Sequence, residues 1–307
     1  MRTLLARLGL TACIMTLAAA AKAVEITHEL GTTDVPDAPE RIVVLEYSFV
    51  DSLAAVGVAP VGIADDNRRE AIIPAYTDII GDDWVSVGTR KSPSLEIIAS
   101  LQPDLIIADK SRHSSIYGAL SDIAPTLVFD SLTGTYETAM EAAATIAHAV
   151  GQEAAMTQRL EQHNALMNDY KAQLGDVSGL SIQFFIDNGQ GTYLHSPTSY
   201  NGSMLSWFGF ETEMTATDGE TTYTDAIVQT SLEQLSVLDP DILIRGLYVE
   251  TGLTDEWVGQ PLFDNLTAIK NDRLFDITAH NWSRLRGVIA SEASAASLVE
   301  IMAQIER

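Results

Sequence analysis

Arginine and lysine are scarce in this chain, 18 against 42 aspartates and glutamates, and several of them follow predicted strands. A guanidinium group suits the binding of carboxylates, because its planar fork donates hydrogen bonds in pairs. The loops that follow parallel strands lie at one edge of the sheet, where ligands bind. The sequence therefore predicts an anion-binding cleft lined by these residues: Arg90, Lys91, Lys110, Arg112, Arg245, Arg284 and Arg286. The alternative for any one of them is a surface ion pair worth under about 1 kcal/mol.

The overall charge makes this clustering informative. The formal net charge is -24, and so acidic a surface repels nucleic acid and anionic membranes. Salt screens distant acids over about 8 Å, so a local group of arginines can still hold an anion. A generally acidic proteome is the alternative explanation for the charge.

Enzyme signatures do not accompany these residues. The sequence has no Gly-x-Ser-x-Gly elbow, no Gly-rich phosphate loop and no His-Glu-x-x-His pair. The pair Asp65 and Asp66 has no catalytic partner that the sequence identifies. A metal site would need several His or carboxylate side chains to converge, and the six scattered histidines do not indicate one. We therefore expect binding without catalysis, without a cofactor and without a metal held by the protein.

A helix and a strand that would position these residues occur twice. Residues 94–108 predict a Ser-capped helix, a proline break and a buried strand, and residues 231–246, SLEQLSVLDPDILIRG, repeat the spacing. So long a period is not that of a solenoid, which repeats every 20–50 residues or so. It predicts two similar α/β lobes.

The remaining pattern alternates strands with helices, which predicts the α/β class with two Rossmann-like lobes built on central sheets, and a parallel sheet in the first lobe. Residues 152–174 contain no Pro or Gly and predict one helix of about 35 Å, at 1.5 Å per residue. A helical connection predicts lobes that move little against each other; the alternative is a surface helix of the first lobe. The expected organisation is a signal peptide (1–23), an N-terminal lobe (24–151), the interdomain helix (152–174) and a C-terminal lobe (175–307).

The first residues predict export. Arg2 and Arg7 stand near the start of an apolar run, and the segment AKA ending at Ala23 is a small-x-small cleavage site. The alternative is a lipoprotein signal, LTAC, which would anchor the chain through Cys13. Cleavage after Ala23 would remove the single Cys and leave a protein without disulfides. No later segment is predicted to be long and apolar enough to span a membrane, so we expect a periplasmic protein.

Four segments carry a family resemblance: RIVVLEYSFVDSLAAVGVAPVGIADDN (41–67), SVGTRKSPSLEIIASLQPDLIIADKSRH (86–113), RLEQH (159–163) and NWSRLRGVIASEASA (281–295). Through them the mature chain resembles the substrate-binding proteins of iron-siderophore ABC transporters, and within that family the members that bind iron(III) dicitrate. The resemblance implies a class III binding protein, whose two lobes are joined by a rigid helix. It also implies a monomer that captures ferric citrate, or a related ferric siderophore, and delivers it to an inner-membrane ABC permease.

The resemblance implies roles for particular residues. Those on motifs that line the family's cleft are Arg90, Arg112, Trp282, Arg284 and Arg286. We add Arg245, because the turn at residues 188–191 lacks the basic side chain expected there, and Tyr200, as a second aromatic contact. Glu96 and Glu233 match two glutamates that pair with permease arginines in similar proteins. Their alternative is structural, since an acid in the first turn of a helix gains about 0.3–1 kcal/mol from the helix dipole.

Other functions remain open at this point. Within the binding class, the ligand could be another carboxylate siderophore or a hydroxamate siderophore. An exported α/β enzyme acting on an acidic substrate would show turnover. A sensor or adaptor domain would bind a partner protein through its acidic face.

Overall fold

The computed structural model describes residues 23–212, 222–224 and 226–305. Residues 1–22 of the predicted signal peptide (1–23) therefore lie outside the described residues. The strands are β1 (Ala23–His28), β2 (Gly31–Pro36), β3 (Ile42–Val44), β4 (Gly62–Ile63), β5 (Val85–Ser86), β6 (Gly88–Thr89), β7 (Ser92–Pro93), β8 (Leu105–Asp109), β9 (Thr126–Phe129), β10 (Ile182–Asp187), β11 (Thr192–His195), β12 (Thr222–Thr224), β13 (Ile227–Thr230), β14 (Ile242–Leu247) and β15 (Leu274–Thr278).

The α-helices are α1 (Tyr47–Ala54), α2 (Pro74–Ile80), α3 (Leu95–Ser100), α4 (Lys110–His113), α5 (Tyr117–Ser121), α6 (Tyr136–Ala149), α7 (Glu153–Leu174), α8 (Tyr200–Phe208), α9 (Leu232–Leu238), α10 (Pro261–Asp264), α11 (Thr267–Lys270) and α12 (Val288–Ile305). Short 3-10 turns occupy Arg69–Ala71, Ser114–Ile116 and Leu253–Trp257, and a π-helical turn covers His280–Arg284.

The first lobe is built on a parallel sheet of five strands in the order β5-β4-β3-β8-β9. Every residue of β3 and β8 is buried, as expected for parallel strands covered on both faces. The hairpin of β1 and β2 packs at the outer strand, where the backbone N–H of Glu29 donates to the carbonyl oxygen of Val128 at 3.0 Å. The N-terminal segment therefore forms a hairpin at the edge of this lobe.

The second lobe has a mixed sheet in the order β12-β13-β11-β10-β14-β15. Strands β10, β14 and β15 are parallel, whereas β11 and β13 run antiparallel to their neighbours. The antiparallel pair of β10 and β11 interrupts the parallel pattern of this lobe. The cause is the tight turn after β10, where the side chain of Asn188 accepts from the N–H groups of Gln190 and Gly191 and the chain returns directly as β11.

The repeated unit forms α3 with β8 in one lobe and α9 with β14 in the other. Ser94 Oγ accepts from the N–H of Ile97 at 3.3 Å, and Ser231 Oγ accepts from the N–H of Gln234 at 3.4 Å. Each serine satisfies an N–H group that the first helical turn leaves unpaired. The duplication read from the sequence therefore corresponds to equivalent elements of the two lobes.

Helix α7 connects the lobes and is anchored by a buried polar network. The ring of fully buried His163 hydrogen-bonds to the Tyr136 hydroxyl on α6 at 2.7 Å and to Glu292 on α12 at 2.8 Å. Arg159, also on α7, pairs with both oxygens of Glu292 at 2.7 Å. A helix tied to two neighbours along its length is a stiff connection. The domain boundaries placed around it remain a prediction.

The C-terminal helix α12 joins the two cores. Ala290 near its start packs in the hydrophobic core of the first lobe, while Leu298, Ile301 and Met302 belong to that of the second. Its 18 residues have a mean hydropathy of 1.3, long and apolar enough to cross a membrane by length and composition alone. The expectation that no later segment reaches that threshold is therefore wrong. Packing between two lobes accounts for the apolar composition.

Candidate ligand-binding site

A cleft of about 470 Å³ lies between the lobes, at the carboxyl ends of the parallel strands of both sheets. The first lobe contributes the loops after β4, β5, β8 and β9, and the second those after β10, β14 and β15. This is where a ligand of an open α/β sheet is expected to bind. The lining residues are Arg68, Arg90, Arg112, Leu132, Ile186, Asn188, Tyr193, Ile227, Tyr248, Ser283, Arg284 and Arg286.

The cleft is cationic although the protein is strongly acidic. Five of the lining residues are arginines and none is an aspartate or glutamate. Four of the five were predicted from the sequence. The fifth, Arg68, was missed. It lies in the loop after β4, as Arg90 lies in the connection after β5 that contains the short β6 and β7, so the same strand-end rule would have found it.

A buried carboxylate lies behind two of the arginines. Glu46 follows β3 and is 1% exposed; it accepts from Arg90 Nη1 at 2.7 Å and from Arg112 Nε at 2.8 Å. Burial opposes ionisation of Glu46, but the attraction of the two arginines outweighs it and lowers its pKa to about 2. Glu46 is therefore an anion at every physiological pH.

Arg90 has further partners. Its Nε and Nη2 donate to Asp66 Oδ2 at 3.1 and 2.9 Å, and its guanidinium lies 4.1 Å from the centre of the Tyr47 ring. Burial works against ionisation of Asp66, and the neighbouring Arg90 overcomes it, so the pKa of Asp66 is lowered. These contacts hold the Arg90 side chain in one orientation.

The second lobe supplies Arg284 and Arg286 from the segment that precedes α12. The Arg284 guanidinium lies over the ring of Tyr248, 4.5 Å from its centre. Arg286 is buried and donates to the carbonyl oxygens of Ser283, at 3.0 Å, and of Ser131 in the first lobe. Burial lowers the pKa of Arg286. Arg286 thus links the two walls of the cleft. Arg284 faces the cleft, and among the described residues its guanidinium makes no hydrogen bond.

Arg245 does not line the cleft, contrary to expectation. Its guanidinium pairs with Asp255 and Asp276, each at 2.7 Å, and is 8% exposed. The strand that carries it continues to Leu247, so Arg245 lies within β14 and not after it. Its hydrogen bond to Asp276 is the main reason that its pKa is raised.

The two predicted aromatic contacts are also placed elsewhere. Trp282 is 2% exposed and packs on Phe184, with ring centres 5.4 Å apart. Tyr200 is 2% exposed, and its hydroxyl donates to the carbonyl oxygen of Gly287 at 3.1 Å. Both rings belong to the core of the second lobe. The aromatic side chains that line the cleft are instead Tyr193 and Tyr248.

The two lysines of the predicted set lie outside the cleft lining. Lys110 pairs with Glu29 at 2.7 Å on the surface, and Lys91 is exposed. A lysine beside a strand end can turn its long flexible stem to solvent, so the strand-end rule is weaker for lysine than for a partly buried arginine.

Glu96 and Glu233 are both exposed and lie in the first turns of the equivalent helices α3 and α9. Hydrogen bonds to the backbone N–H of Glu233 and to Ser231 lower the pKa of Glu233. The structure therefore puts one acid at a corresponding surface position of each lobe. Their role in docking remains a prediction.

A second cavity, of about 550 Å³, lies on the first lobe and has no arginine or lysine in its lining. Its acids, Glu29, Asp130 and Glu141, and its threonines do not suit an anion. Across residues 23–212, 222–224 and 226–305, no group of three or more His, Cys, Asp or Glu side chains could hold a metal ion. The inter-lobe cleft is the site whose chemistry fits the predicted ligand class.

Two α/β lobes, a helical connection and a cationic cleft at the strand ends define a solute-binding protein of the helical-linker class. The profile of the periplasmic binding protein family matches residues 42–280, and the chain belongs to this family. It is a substrate-binding protein and not an enzyme, and the resemblance read from its motifs is confirmed.

Two characterised relatives are similar over most of their length. The chain is 40% identical over 275 residues to the Fe(3+)-citrate-binding protein YfmC of Bacillus subtilis, covering 90% of this chain and 84% of that protein. It is 39% identical over 279 residues to the Fe(3+) dicitrate-binding periplasmic protein FecB of Escherichia coli, covering 91% and 90%. Among solved structures, Staphylococcus aureus SirA complexed with staphyloferrin B superposes with a TM-score of 0.77 at 24% identity, over 91% of this chain and 98% of that one. That likeness confirms the predicted fold class.

Proposed function

We propose that this protein binds iron(III) dicitrate, or a closely related ferric carboxylate chelate, in the cleft between its lobes. The observation that carries the proposal is a lining with five arginines and no acid in a chain of net charge -24. The two relatives named for ferric citrate binding support the choice of ligand.

The arginine N–H groups that face the cleft determine how the ligand is recognised. Iron arrives already coordinated by citrate oxygens, so the protein needs to bind only the outer carboxylates. Arg112, Arg284 and the exposed Arg68 face the cleft, and an arginine fork matches a carboxylate in bidentate geometry. Ile186, Tyr193 and Tyr248 supply apolar surface around these donors. Specificity then depends on where the chelate places its uncoordinated carboxylates.

Delivery to a permease completes the proposal. The protein acts as a monomer outside the cytoplasmic membrane, after cleavage of its leader, and presents Glu96 and Glu233 to arginines of an ABC permease. One exposed acid on each lobe suits a partner with two related subunits or halves. Binding and docking then use opposite types of charge on different surfaces.

Native mass spectrometry of the purified protein, followed by calorimetric titration, tests the ligand. The titrations use ferric citrate, iron-free citrate, a ferric hydroxamate and a ferric catecholate. We expect tight binding of ferric citrate and much weaker binding of the ferric hydroxamate and the ferric catecholate, because these two offer no free carboxylates. Iron-free citrate should also bind more weakly, because no metal fixes the positions of its carboxylates. Tight binding of one of the other chelates, with none of ferric citrate, would overturn the proposal.

A further inference from the structure

We propose that Glu46, which does not line the cleft, is a positioning residue for anion binding, because it holds the guanidinium groups of Arg90 and Arg112 in place for the ligand. This inference rests on the proposed function for the identity of the anion. It assigns a favourable role to a buried negative charge beneath an anion-binding site.

The carboxylate of Glu46 is itself fixed. Glu46 is the residue before α1, and its Oε1 accepts from the N–H of Tyr47 at 3.0 Å. The same oxygen accepts from Arg90 Nη1, and Oε2 accepts from Arg112 Nε at 2.8 Å. Each oxygen thus binds one arginine, and the two arginines come from loops after two different strands. The carboxylate therefore sets the spacing between them.

The two arginines differ in how many of their side-chain nitrogens already have a hydrogen-bond partner. Arg90 uses all three of its nitrogens on Glu46 and Asp66. Arg112 uses only Nε, and within the part of the chain that the structure describes its terminal nitrogens make no hydrogen bond. Because Arg112 lines the cleft, those terminal nitrogens are the ones available to a carboxylate of the ligand. Glu46 accepts the hydrogen bond from Nε of Arg112 and leaves the two terminal nitrogens of Arg112 for the ligand.

Two effects of Glu46 on binding have opposite signs. An anion near the site repels an anionic ligand, so its removal would strengthen binding. An arginine that is already ordered loses less conformational freedom when it binds, so removal of its support would weaken binding. Since the charge of Glu46 is compensated by its two partners, the second effect is the larger. The direction of the change in affinity therefore distinguishes a positioning residue from a mere nearby charge.

The first test is the affinity of Glu46→Gln for ferric citrate, measured by calorimetry beside the wild type. We expect at least tenfold weaker binding, and less than twofold change in the control Glu161→Gln, which makes the same substitution at an exposed position of α7. Glu46→Asp keeps the charge but is too short to reach both arginines, and it should also weaken binding at least tenfold. Unchanged or tighter binding by either Glu46 variant would overturn the inference.

A double-mutant cycle separates positioning from general damage to the fold. In the background Arg112→Ala, the change Glu46→Gln should weaken binding by no more than about twofold, since Arg112 is gone and Arg90 keeps its hydrogen bonds to Asp66. A full tenfold loss in that background would show that Glu46 acts by another route and would refute the assignment.

A ligand-free measurement keeps this inference separate from the proposed function. In NMR spectra of the protein without ligand, the Nε–H of Arg112 should be protected from solvent exchange in the wild type and in Glu161→Gln, and should lose that protection in both Glu46 variants. Unaltered protection would refute the positioning role whatever the ligand is. Failure of the wild type to bind ferric citrate, with this protection pattern intact, would overturn only the proposed ligand.

Discussion

The carboxylate of Asp51 in the first lobe accepts a hydrogen bond from the backbone N–H of Ala290, at 2.8 Å, in the first turn of α12. It also accepts from the N–H of Ile289 at 3.2 Å and from the Tyr76 hydroxyl at 2.9 Å. The first lobe thus caps the helix that runs into the second. Because Arg284 and Arg286 lie in the short segment before this helix, the cap fixes one wall of the cleft.

Asp51 should make the stability of the protein depend on pH. Burial raises the pKa of Asp51 to about 6, above the value of about 3.9 for an unfolded aspartate. The folded state therefore binds the proton more tightly, so the contribution of Asp51 to stability is full below about pH 4 and is lost as the pH rises through about 6. At about 1.4 kcal/mol per pKa unit, the difference is on the order of 2–3 kcal/mol.

Urea unfolding of the wild type and of Asp51→Asn, at several values between about pH 4 and pH 7, measures this contribution. As the pH falls through this window, the free energy of unfolding of the wild type should increase relative to that of the variant. The comparison between the two proteins cancels the titration of other carboxylates. Parallel curves would show that Asp51 has the same proton affinity folded and unfolded.

Replacing Arg284 with alanine should weaken ferric citrate binding at least tenfold. Its guanidinium is held over the ring of Tyr248 and faces the cleft, and a charge-assisted hydrogen bond is worth about 1.5–3 kcal/mol. Calorimetric titration gives the affinity, and thermal unfolding checks that the fold is intact. An unchanged dissociation constant would remove Arg284 from the site.

Arg245→Ala is the matched arginine change outside the cleft. Loss of its ion pairs with Asp255 and Asp276 should lower the free energy of unfolding by about 1–3 kcal/mol. The affinity for ferric citrate should stay within about twofold of the wild type, since no ligand contact is lost. A tenfold loss of affinity without loss of stability would show that Arg245 contributes to ligand binding after all.

The double change of Glu96 and Glu233 to alanine should abolish iron uptake by cells while leaving ferric citrate affinity unchanged. Both side chains are exposed and lie apart from the cleft lining, so we expect their removal to affect docking to the permease and not ligand binding. Uptake of radioactive iron from ferric citrate is the measurement, and exposed Glu137 and Glu161, changed together to alanine, serve as the control. Normal uptake by the Glu96 and Glu233 variant would rule out these acids as docking residues.

Much of this protein follows from its sequence because the signals are local. The helix predicted over residues 152–174 agrees with α7, Glu153–Leu174, since the absence of Pro and Gly is a property of the segment itself. The duplicated helix and strand predicted two α/β lobes. Arg90, Arg112, Arg284 and Arg286 were placed in the cleft because loops after parallel strands meet at one edge whatever the details of packing.

The tertiary structure decided what depends on distant partners. Arg245 was predicted to line the cleft, but its strand continues to Leu247, and Asp255 and Asp276 each lie 2.7 Å from its guanidinium. Trp282 and Tyr200 were predicted to contact the ligand, but both side chains pack into the core of the second lobe. The contacts of Glu46 with Arg90 and Arg112 could not be predicted from the sequence, because those residues are 44 and 66 positions away. The direction in which a side chain points, and the buried charge that it meets, are set by long-range packing, which no local pattern encodes.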